Sequence, residues 1–172
     1  MKKHIITTIV IISVLGFCYG SYKETQKIKV EEKAYLETLR EEDRIGYFIS
    51  KELKGKVSTG KNKLSTYYVN KTENGYDIII TINANEYLNE SEILKWVERE
   101  MTKIYTMLYR SDYDIANVRI NANFPMMDDY GNVRNGTLHS TWIDRETAKN
   151  INWKQDDSIL QYQILPKLWN KY

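Results

Sequence analysis

Between Asn89 and Arg110 the apolar residues fall at helical spacing: Ile93, Val97, Met101, Ile104 and Leu108, widened by Leu94, Tyr105 and Tyr109. Steps of three and four place them all on one side of an α-helix. Asn89, with Glu92 three residues on, makes a capping-box-like start. A stripe this wide must be covered, so the helix is expected at the centre of a core and constrains everything around it. Replacing Val97 or Ile104 with Asp is expected to unfold the domain, because an unpaired buried charge costs several kcal/mol.

The flanking segments can supply that cover. Leu64–Asn70 and Tyr76–Asn83 read as strands rich in tyrosine, valine and isoleucine, with Ile78, Ile80 and Ile82 on one face. Lys71-Thr72-Glu73-Asn74-Gly75 joins them, and its Asn-Gly ending predicts a hairpin, because both residues accept positive φ. Beyond the helix, Val118, Ile120, Ala122 and Phe124 alternate with Arg119, Asn121 and Asn123, which predicts a half-buried strand. Pro125 is expected to stop it, Met126–Gly136 to form a wide turn, and Thr137–Ile143 to return as a strand. Asp144 can cap a short helix through Asn150, and Ser158–Leu165 can form another before Pro166. Upstream, Ile28, Tyr35, Leu39, Gly46, Ile49 and Leu53 trace a helical stripe that Gly55 can end. Its first part, to about Ala34, reads as a solvated stalk and Tyr35–Leu53 as a packing helix.

The expected class is α+β. An N-terminal membrane or signal helix and a stalk helix precede a four-stranded, mostly antiparallel sheet packed by one long helix, in the order α-ββ-α-ββ-α. The expected parts are 1–21, a signal peptide or membrane anchor; 22–54, stalk and packing helix; and 55–172, an extracytoplasmic α+β domain.

The N-terminus carries the compartment. Lys2, Lys3 and His4 precede an uncharged run from Ile5 to Tyr19, and charge returns at Lys23. A bilayer span needs ~20 apolar residues and a cleavable signal core about 7–15, so length favours a signal slightly. Positive charge before the run predicts a cytoplasmic N-terminus, with the rest of the chain outside. Retained anchor, cleavage after Gly20 and lipidation of Cys18 stay open. Leu15-Gly16-Phe17-Cys18 matches a lipobox at Leu15 and Cys18 but departs from it at Phe17. A buried helix of a cytosolic protein fits the charge asymmetry less well.

Composition narrows the partners. The chain has 25 Lys and Arg against 23 Asp and Glu. Two of the basic residues, Lys2 and Lys3, lie in the leader, so the remainder is neutral and lacks the basic excess of nucleic-acid binders. Cys18 is the single cysteine, so no intramolecular disulfide is available.

Candidate chemistry is sparse. His139 is the one histidine outside the leader, and Ser140 or Ser158 could join it on paper, without a nucleophile-elbow context. Asp112, Asp114, Asp128 and Asp129 are the acidic candidates for a metal or a hydrolytic pair, and none has EF-hand spacing. Neither a catalytic residue nor a metal or other cofactor is therefore assigned. Lys51, Lys54, Lys56, Lys61 and Lys63 form a basic cluster at a helix end and loop. The 14 tyrosines and four tryptophans are the stronger signal, since aromatics anchor interfaces. Tyr67, Tyr68, Tyr76 and Tyr113 are the candidate interaction surface.

The stretch Asn117–Trp153 has Asp129-Tyr130-Gly131-Asn132 in its turn and Glu146-Thr147-Ala148-Lys149-Asn150-Ile151-Asn152-Trp153 after its second strand. It resembles the end of small exported domains of low-GC Gram-positive bacteria, some of them carried on phages and conjugative elements. That resemblance implies an extracytoplasmic, non-enzymatic role. The expected function is a membrane-associated binding or accessory protein of the bacterial cell envelope, in the transfer or exclusion machinery of a mobile element for instance. It would hold the membrane through residues 5–20 and a protein partner outside, with no nucleic acid. The alternative is a small wall-directed hydrolase using acidic residues such as Asp128 and Asp129.

Overall fold

The computed structural model describes residues 25–87 and 89–169. The expectations for the leader, residues 1–21 with Cys18, lie outside them. The chain divides into two compact units, 1–44 and 45–172.

In the first unit, helix α1 runs from 25 to 38. Three of its apolar residues stay largely in solvent: Ile28 is 57 %, Val30 67 % and Tyr35 52 % exposed. Exposed pairs Lys27–Glu31 and Lys33–Glu37 at helical spacing support it instead. The long single helix expected over 22–54 is broken at Leu39-Arg40. Thr38 Oγ1 donates to the Tyr35 carbonyl at 2.6 Å, an alternative to helical pairing, and Leu39 N closes onto Leu36 O. Helix α2 (Glu41–Glu52) then restarts on Glu41, Glu42 and Asp43, acids that suit a helix N-terminus. Packing begins at Ile45, not at Tyr35 as expected from the stripe.

The second unit holds the sheet. Ile45, Ile49, Leu53 and Val57 are buried against it. Gly46 lets the two approach, since a Cβ there would sit 2.6 Å from the Tyr67 ring. Strands β1 (Leu64–Thr72) and β2 (Gly75–Asn83) form the predicted hairpin, with longer arms and a tighter turn than expected. Of the Asn-Gly pair only Gly75 has positive φ, at 106°, so the glycine follows the turn at the start of β2. Helix α3 (Glu90–Tyr109) starts as predicted, with the Asn89 side chain accepting from Glu92 N. It carries the chain over to β3 (Ile115–Met127), which lies parallel to β2, as such a crossover allows. Strand β4 (Val133–Asp144) returns antiparallel to β3. The sheet order is β1-β2-β3-β4, mixed, with two antiparallel pairs and one parallel pair.

Pro125 does not stop β3. Strand alternation aims its nitrogen to the side where Asn123 O accepts from Ala84 N, and there β2 has already ended. A missing N–H costs no ladder bond at such an edge. The expected wide turn shrinks to 128–132, tied by the Asp128 carboxylate accepting from Tyr130 N and Asn132 N. After β4, Asp144 caps α4 (Arg145–Lys149) as predicted, accepting from Thr147 N at 2.7 Å. The last helix is not ended by Pro166. Helix α5 (Asp157–Ile159) widens into a π-helical turn (Leu160–Ile164), where Leu165 N bonds Leu160 O, and resumes as α6 (Leu165–Trp169). Pro166 thereby falls in the first turn of α6, where an absent N–H is tolerated.

The core lies between one face of the sheet and α3. Val97, Met101, Ile104 and Tyr105 from the helix meet Ile78, Ile80, Ile82, Val118, Ile120, Ala122 and Ile143 from the strands, all at most 1 % exposed. Tyr105 Oη pairs with Thr141 Oγ1 at 2.6 Å, and Tyr109 Oη donates to Ile143 O at 2.7 Å. Their burial pushes both phenols well above the ordinary tyrosine range, so both stay neutral hydrogen-bonding groups.

Candidate functional site

Among the described residues the opposite face of the sheet has no such cover, and strand register arranges its side chains in rows. Because neighbouring residues across a ladder share a face, the pairings run straight over all four strands. The central row is Tyr68, Ile79, Arg119 and Trp142. On one side of it lie Asn70, Asp77, Asn117 and Asp144. On the other lie Thr66, Thr81, Asn121 and Ser140.

The central row is apolar and open. Tyr68 is 65 %, Ile79 41 % and Trp142 38 % exposed, and Arg119 is exposed beside them. The buried neighbours Ile78 and Ile80 show why Ile79 is outside: alternation sends it away from the core that its neighbours fill. The Arg119 guanidinium stands over the Trp142 ring, 5.9 Å from its centroid. That stacking steadies both side chains in the row.

The flanking rows are polar and internally braced. Asn117 Nδ2 donates to Asp77 Oδ1, and Ser140 Oγ to Asn121 Oδ1 at 2.8 Å. The Asp144 carboxylate is turned toward α4, where the Thr147 backbone N–H holds its pKa below the ordinary range. Arg119 is the one cation among these twelve side chains, against two carboxylates that already have partners.

The four tyrosines expected to form a surface do not come together. Tyr68 belongs to the open row. Tyr67, next to it in β1, points to the other face and lies over Gly46. Tyr76 is 2 % exposed, with Lys71 5.5 Å over its ring; it is a core residue. Tyr113 lines a separate recess of about 430 Å³ with Tyr109, Asp114, Arg145, Lys149 and Trp153. That recess is a joint, with Tyr109 stacked on Trp153 at 4.8 Å. Arg145 is spent inside it, bonding the Asn74 and Ile115 carbonyls and the Asp114 carboxylate.

The other candidates are dispersed. His139 pairs with Ala122 on the inner face, and burial lowers its pKa. Ser140 points outward to Asn121, so adjacent positions of one strand keep the two apart. Ser158 bonds Asp156. Asp128 is committed to its own turn, which holds its pKa low. Of the lysine cluster, Lys63 reaches Glu100, Lys61 reaches Asn135 and Lys51 lies over Tyr47. Among the described residues no group of three or more His, Cys, Asp or Glu converges as a metal site requires. No described helix is long and apolar enough to cross a membrane.

The sequence shows Arg119 and Asn121 as the polar half of a strand and Ile79 as one more isoleucine. Only strand order aligns them with Tyr68 and Trp142. Comparison with family models, curated proteins and solved structures finds no match for the chain.

Proposed function

We propose that residues 45–172 are a binding module of a membrane-associated, outward-facing cell-envelope protein, and that the module engages its ligand through the Tyr68–Ile79–Arg119–Trp142 row. One observation carries this reading: Ile79, at the middle of the sheet, is 41 % exposed between Tyr68 and Arg119, with Trp142 beyond, whereas its neighbours Ile78 and Ile80 are buried in the core on the opposite face. Contiguous exposed apolar groups rimmed by polar ones mark interaction sites. Asp114, Asp128, Asp144 and Asp156 are committed to an ion pair, a turn and helix caps, which supports binding over catalysis. The basic start and uncharged run of residues 1–21 support attachment to the membrane with the module outside. The resemblance of Asn117–Trp153 supports service in an envelope assembly, such as the transfer or exclusion machinery of a mobile element.

A photo-crosslinking residue placed at Ile79, and for comparison at Lys103 on α3, tests the face in the producing cell. Adducts are expected from position 79 and not from 103. Equal labelling at both positions, or none at 79, would sink the proposal. Protease treatment of intact cells checks the orientation, with cleavage of 45–172 expected from outside only.

A further inference from the structure

We infer that the ligand of this face is a neutral glycan strand lying across the sheet, at right angles to the β-strands, along the Tyr68–Trp142 row. The inference rests on the binding role proposed above.

Direction follows from the row itself. Strands about 4.8 Å apart place Tyr68 and Trp142 roughly 14 Å from each other, enough for a few linked sugar rings. A ligand along this line crosses all four strands. The main-chain groups of β2 and β3 are taken by ladders on both sides, so it cannot be added as a further strand. It must be recognised by side chains alone. That disfavours a peptide added as a strand, the mode in which main-chain hydrogen bonds supply the affinity.

The side chains on offer select the chemistry. Asn70, Asn117 and Asn121 carry primary amides, and Thr66, Thr81 and Ser140 carry hydroxyls. Each such group both donates and accepts, as hydroxyl and acetamido groups of a sugar do. Between these rows the exposed Tyr68 ring, the side of Ile79 and the part of the Trp142 ring that Arg119 leaves open offer apolar contact to ring C–H groups. Charge excludes the polyanions. One guanidinium, already over Trp142, cannot neutralise a run of phosphates or uronates. A second copy of the chain packed face to face would want several apolar rows interdigitating, and here only one row of the three is apolar.

Chitin, a neutral polymer of N-acetylglucosamine, is the probe, with soluble chitin oligomers as competitors. The full-length chain in mild detergent is expected to be retained on chitin and released by the oligomers. Tyr68→Ala and Trp142→Ala should each weaken retention by roughly tenfold, the loss typical of a stacked aromatic anchor. Tyr162→Ala removes an equally exposed aromatic elsewhere and should leave retention unchanged. All three positions are exposed, and coinciding thermal unfolding curves verify that the variants fold. Three results would overturn the glycan: no retention of the native chain, retention that Tyr68→Ala and Trp142→Ala leave intact, or a concentration-dependent dimer that Trp142→Ala abolishes. Crosslinking at Ile79 reads the face without reference to sugar, so the glycan can fail while the binding face stands.

Discussion

Glu100 is 3 % exposed on α3 and still charged, because Lys63 Nζ at 3.0 Å and Lys103 Nζ at 3.1 Å bond its two oxygens. Burial alone would raise its pKa; the two lysine hydrogen bonds outweigh that and hold it below the ordinary glutamate range. Its contribution to stability is therefore complete above the ordinary glutamate pKa and is lost as pH falls through the lowered one. Glu100→Gln is expected to cost about 1–3 kcal/mol at neutral pH, and the gap to the native chain should narrow on acidification. Urea unfolding of both proteins at pH 7 and at about pH 3 measures this. Gly75 gives a second expectation at this scale. A Cβ there would meet the Asp114 carbonyl and the Arg145 guanidinium, at a φ of 106°. Gly75→Ala is expected to destabilise by about 1–3 kcal/mol, read as a lower unfolding midpoint. The turn glycine is plain in the sequence, whereas the groups that crowd it come from remote segments and are not.

At the scale of elements, periodicity finds α3 and its cap because an amphipathic helix is specified locally, by spacing and by Asn89. Ends set by neighbours are less legible. Pro125 reads as a stop, yet β3 continues through it because β2 has ended on that side. The break at Leu39-Arg40 turns on a side-chain hydrogen bond from Thr38 that no periodicity announces. Arg145 joins three elements: it bonds Asn74 at the hairpin turn, Asp114 just before β3 and Ile115 at its start, from its place at the start of α4. Arg145→Ala leaves those carbonyls short of a donor and should cost about 2 kcal/mol, with faster amide exchange at Gly75 and Ile115 as the local signature.

For the second unit as a whole, the two faces of one sheet have different duties, and stability measurements should separate them. Ile80 is fully buried and Ile79 is 41 % exposed, although they are adjacent in β2. Ile80→Ala is expected to cost 2–5 kcal/mol, or about that, from lost burial and a cavity. Ile79→Ser combined with Trp142→Ala should stay within about 1 kcal/mol of the native chain, while abolishing ligand retention. Denaturant unfolding of the two variants checks the contrast, and a large loss for the exposed pair would mean that the outer face is structural.

The sequence by itself determines the α+β class, the central helix with its cap, the first hairpin and the inward isoleucines, because each is written in local spacing and turn chemistry. It also assembles a candidate surface from tyrosines that the fold sends to different places. Tyr67 and Tyr68 part by strand alternation, Tyr76 enters the core and Tyr113 lines a joint. What only the tertiary structure decides is which residues share a row. Tyr68, Ile79, Arg119 and Trp142 come from four strands, and they meet because α3 lays β3 parallel to β2 in one particular register. Register between distant strands is fixed by packing against the common helix, a property of the assembled core that no single segment carries.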